Sequence, residues 1–101
     1  MEQIERIQKM EEALDEALKV KESFDRALAE LRNSQENIVK LFEYYGSLDW
    51  SNDLESWEAG KLPKDLKCGV LAEDTVYDLI TDTRETAFEM IETATELLKA
   101  I

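Results

Sequence analysis

The chain has no histidine, one cysteine, one proline and three glycines among its 101 residues. Each scarcity excludes something. Without histidine there is no common general base at neutral pH, no histidine-dependent triad and no histidine-containing metal site. The lone cysteine, Cys68, has no partner for an internal disulfide, which suits a reducing cytoplasmic compartment. So few glycines and prolines leave room for few turns. No run of about 18 apolar residues occurs, so no transmembrane helix is expected. The start, Met1-Glu2-Gln3-Ile4-Glu5, lacks the basic and apolar regions of a secretion signal, which again predicts a cytoplasmic protein. Basic residues are outnumbered 24 to 12, giving a net charge of −12. No basic face is available to neutralise phosphates, so direct nucleic-acid binding is not expected, and neither is attraction to anionic membranes.

What remains is 44% hydrophobic and 36% charged, and its order is regular. Ile7, Leu14, Leu28 and Phe42 share one heptad column, with Lys21 and Gln35 as its two polar members. Met10, Ala17, Phe24, Leu31, Ile38 and Tyr45 share the next. Val76, Ile80, Thr83, Ala87, Met90, Ala94, Leu97 and Ile101 repeat the pattern. Alternating steps of three and four keep one stripe of a helix facing a partner, as in a coiled coil. The chain is therefore read as one all-α domain over 1–101, an antiparallel helical hairpin or small bundle. A long helix over about 2–45 ends at Gly46. A short helix over about 48–58 starts from Ser47 and ends at Gly60. A connection over 60–71 holds Pro63 and Lys61, Lys64 and Lys67, and a long helix spans about 72–100. Arg32-Asn33-Ser34-Gln35 is the weakest point of the first helix, yet the apolar phase continues across it. The first helix is longer than the last by roughly 20 Å at 1.5 Å per residue. A hairpin would then leave Ile4, Ile7, Met10 and Leu14 uncovered, and such a stripe predicts self-association into a homo-oligomer.

The candidate interaction residues fall in two groups. Tyr44, Tyr45, Trp50 and Trp57 crowd the central turn beside Lys61 and Lys64. Core packing accounts for such aromatics, but Tyr and Trp also anchor interfaces. Asp78, Asp82, Glu85, Glu89, Glu92 and Glu96 recur along the last helix opposite its apolar stripe. A solvated face explains that row, and docking of a basic protein or imitation of a phosphate backbone are the alternatives. A third alternative is an enzyme whose helix carboxylates hold Mg²⁺. Without histidine and with the acids off the apolar seams, no residue is assigned a catalytic, cofactor-binding or metal-binding role. Nor does any glycine-rich phosphate loop or nucleophile elbow occur.

The central block is distinctive. It runs Tyr44-Tyr45-Gly46-Ser47, Trp50, Asp53, Ala59-Gly60-Lys61-Leu62-Pro63-Lys64-Asp65-Leu66-Lys67, Gly69-Val70-Leu71, Glu73-Asp74 and Val76-Tyr77-Asp78-Leu79. It resembles the bacterial domain-of-unknown-function family 4298, whose members are small, acidic and helical. The resemblance covers nearly the whole chain. Ala72 stands where the family has a serine before the acidic pair, which removes a helix cap, and Cys68 stands at a commonly basic position. The resemblance implies a helical fold and carries no activity. The chain is therefore read as a non-enzymatic interaction or adaptor module that self-associates and meets a protein partner.

Overall fold

The computed structural model describes residues 1–101 and contains three α-helices and no strand. Helix α1 is Glu2–Tyr44, α2 is Leu48–Glu58 and α3 is Thr75–Ala100, with one turn of 3-10 helix at Gly69–Leu71 between α2 and α3. The chain divides into two units, Met1–Asn37 and Ile38–Ile101.

The first unit is helix throughout, including Arg32 to Gln35. Strong helix formers fill its exposed positions. Two ion pairs one turn apart add to it, Lys21–Asp25 at 2.7 Å and Glu22–Arg26 at 2.8 Å. Both are exposed, so each contributes about 0.3–0.5 kcal/mol. No residue of this unit is buried; Ile7, Met10, Leu14 and Phe24 are all half or more exposed.

The second unit is built around tight helix ends. Gly46 stops α1 with φ of 79°, a conformation that is costly for any residue with a Cβ. Ser47 then caps α2: its Oγ accepts from the Trp50 amide at 3.1 Å and donates to the Tyr44 carbonyl at 2.6 Å. One side chain thus closes one helix and opens the next. At the other end Gly60 takes φ of 70°, its amide donates to Trp57 and the Lys61 amide donates to Ser56, the bonding pattern of a Schellman stop.

Helix α3 begins at Thr75, three residues later than the sequence suggests. Ala72 has no oxygen to cap a helix and sits extended, after the 3-10 turn closed by Leu71 and Ala72 amides on Cys68 and Gly69 carbonyls. Asp74 takes the cap position without a side-chain bond, and the acid of the first turn is Asp78.

The heptads predict a core of stripes paired lengthwise. The buried residues are instead Leu71 in the 3-10 turn and Val76 in the first turn of α3, at 4% and 3% exposure. Leu41, Phe42, Leu54 and Ile80 are half-buried; Leu41 shares a groove with Val76, and Leu54 one with Leu71. Beyond Thr83 the stripe of α3 is open to solvent, through Met90 and Leu97 to Ile101. Spacing fixes which side chains share a face, whereas burial also needs something to cover that face.

Candidate functional site

The turn after α1 gathers three of the four predicted aromatics. Tyr45 and Trp50 meet edge to face, with ring centroids 5.0 Å apart at 60°. This geometry sets the positive edge of one ring against the negative face of the other. The Trp50 indole Nε1 donates to the Val70 carbonyl at 3.0 Å and so ties α2 to the 3-10 turn. The Tyr45 hydroxyl makes a long contact of 3.4 Å with the Glu73 carbonyl. Trp50 is therefore committed to holding the unit together.

Tyr44 donates its hydroxyl to the Asp53 carboxylate at 2.6 Å. That bond, then desolvation, then the negative charges of Asp53 and Asp49, push its pKa up from 10.0 to about 12. The folded state therefore holds the phenolic proton more tightly than the unfolded state. The resulting stabilisation is complete below pH 10 and is lost as pH rises through about 12. Ultraviolet titration of tyrosinate should show a transition near 12 that vanishes in Tyr44→Phe; if both proteins titrate alike, the bond is absent in solution.

Trp57 is placed differently. It is 42% exposed, and no hydrogen bond engages its indole. With Trp50, Leu54, Leu71, Glu58 and Glu73 it lines an open groove of ≈ 500 Å³. The groove pairs apolar walls with carboxylates. Lys61 and Lys64 are exposed and form no ion pair, so the charge of the loop is carried in water.

Asp78, Asp82, Glu85, Glu89, Glu92 and Glu96 are all exposed on α3. Arg84 sits 5.7 Å from the centre of the Phe88 ring. No three acidic or cysteine side chains converge closely enough to hold a metal ion. The predicted surface thus separates into a bonded aromatic turn, an exposed Trp57 in its groove, and a solvated acidic row. Sequence spacing gives no sign of the Asp53 bond to Tyr44 or of the Val70 carbonyl under Trp50. Both depend on how α2 folds back across the turn.

A family profile described as Domain of unknown function (DUF4298) matches residues 7–93. No curated protein and no solved structure matches the chain.

Proposed function

Since the chain belongs to the DUF4298 family, whose description assigns no activity, we propose from its surface that it is a non-enzymatic helical interaction module that self-associates. A second copy covers the apolar face of α1 that one chain leaves open. A further protein partner meets the groove at Trp57 and the acidic row of α3. The free Cys68 suits the reducing cytoplasm as the place of action. No helix is long and apolar enough to cross a membrane.

One observation carries this reading. The Met1–Asn37 unit buries none of its residues, and Ile4, Ile7, Met10, Leu14, Phe24 and Leu31 fall on one side of α1, each more than two-fifths exposed. A face of that length in water favours association.

If folding is coupled to association, the thermal midpoint depends on protein concentration. Melting curves followed by circular dichroism over a hundredfold range of concentration should move upward with concentration. Superimposed curves would count against self-association.

A further inference from the structure

We infer that the second copy runs antiparallel along α1, with the twofold axis beside Lys19, so that Ile7, Met10, Leu14 and Ala17 of one copy face Leu31, Leu28, Phe24 and Lys21 of the other. This arrangement rests on the self-association proposed above and specifies its geometry.

Lys21 selects the direction. It lies on a heptad column, in the middle of an apolar stripe. In a parallel pair in register, Lys21 would share a layer with Lys21 of the second copy, two like charges in a partly dry seam. In an antiparallel pair each layer joins residues from different columns, so the two lysines part. The register then decides what each one meets. With the axis at Lys19 it meets Ala17, the smallest side chain of the stripe, which leaves room for the aliphatic stem to lie across the seam and the ammonium to emerge. Sliding by one heptad sets Lys21 against Phe24 in one direction and against Met10 in the other.

Leu18 and Val20 select the register independently. They flank the stripe on its two sides, where coiled coils usually carry charge, yet both are apolar and about 60% exposed, at 61% and 59%. In the proposed pair they lie at the axis, Leu18 against Leu18 and Val20 against Val20. A parallel pair would set Val20 beside Asp25 of the second copy. The antiparallel register does bring Glu11 of one copy toward Asp25 of the other, but Asp25 already holds the Lys21 ammonium at 2.7 Å.

The extent fits as well. Overlap runs from Ile4 to Ser34, roughly 46 Å at 1.5 Å per residue. It stops before Gln35, the other polar residue of the columns, and stays inside the Met1–Asn37 unit, which buries nothing of its own.

Crosslinking tests the geometry in full-length protein carrying Cys68→Ser. I7C and L31C are made separately, mixed, annealed and treated with a short bismaleimide. Both positions are exposed in the single chain, and circular dichroism checks that helix content is kept. The expected product is the mixed I7C–L31C dimer, with none from I7C alone, because the two copies of position 7 are then roughly 36 Å apart along the axis. L18C alone should crosslink to itself. Product from I7C alone means a parallel pair and overturns the inference while leaving self-association standing. A dimeric mass without either expected product places the interface elsewhere, and overturns it too. A single-chain mass at every concentration removes the self-association reading itself.

Discussion

Phe24→Glu is expected to leave the chain helical and to dissociate the dimer by nearly three orders of magnitude. Phe24 is 53% exposed in one chain, and glutamate is the better helix former, so the isolated helix tolerates the change. In the pair the new carboxylate faces Leu14 of the second copy, and symmetry places it there twice. An unpaired charge taken out of water costs several kcal/mol even after relaxation. At only about 2 kcal/mol per site the pair loses roughly 4 kcal/mol, and each 1.4 kcal/mol is tenfold in affinity. Ser23→Glu, one residue away and off the stripe, is the matched control and should leave affinity within about twofold, because exposed surface charges contribute little. Sedimentation velocity reads both variants. A Phe24→Glu protein that stays dimeric at the wild-type concentration would show that α1 does not carry the contact.

Trp50→Ala is expected to cost the Ile38–Ile101 unit about 3 kcal/mol, the lower end for removing a large aromatic from a packed site. Three attachments disappear together: the edge-to-face contact with Tyr45, the hydrogen bond to the Val70 carbonyl, and the wall over the core residue Leu71. That core has only Leu71 and Val76 buried, so little remains to hold α2 against the 3-10 turn. Trp50→Phe keeps a ring and loses the bond, which predicts a smaller cost of about 1 kcal/mol. Trp57→Ala, at a side chain 42% exposed and without a hydrogen bond, should cost no more than about 1 kcal/mol, since substitutions near the surface seldom exceed that. Chemical unfolding followed by near-ultraviolet circular dichroism ranks the three. Equal costs at Trp50 and Trp57 would contradict the division of labour between a structural indole and an available one.

Local signals in the sequence carried most of the secondary structure. Gly46 and Gly60 need positive φ and Ser47 offers a capping oxygen, so the ends of α1 and α2 are legible within a residue. The start of α3 is less so. Glu73 and Asp74 look like a first turn, but Ala72 cannot cap and the 3-10 turn before it holds the chain extended. Tertiary facts were not legible. Leu71 lies in an aperiodic loop, and nothing in its neighbours announces that it is one of two buried side chains. Asp53 is nine residues from Tyr44 and reaches it only because Ser47 fixes the direction in which α2 leaves the turn. Of the candidate surface, the aromatic turn was recognisable by composition. Which of its two tryptophans is engaged follows only from the Val70 carbonyl. On α3 the heptad stripe is covered only at its start, at Val76, Ile80 and Thr83, because spacing sets which side chains share a face and burial needs something packed against that face.

Sedimentation equilibrium across a range of loading concentrations tests the central claim most directly. One chain weighs 11.7 kDa. A self-associating chain gives a weight-average mass that rises with concentration to twice that value, and that falls back toward the single-chain mass in Phe24→Glu. A mass fixed at 11.7 kDa up to the highest soluble concentration would contradict it, and the open face of α1 would then need a different occupant.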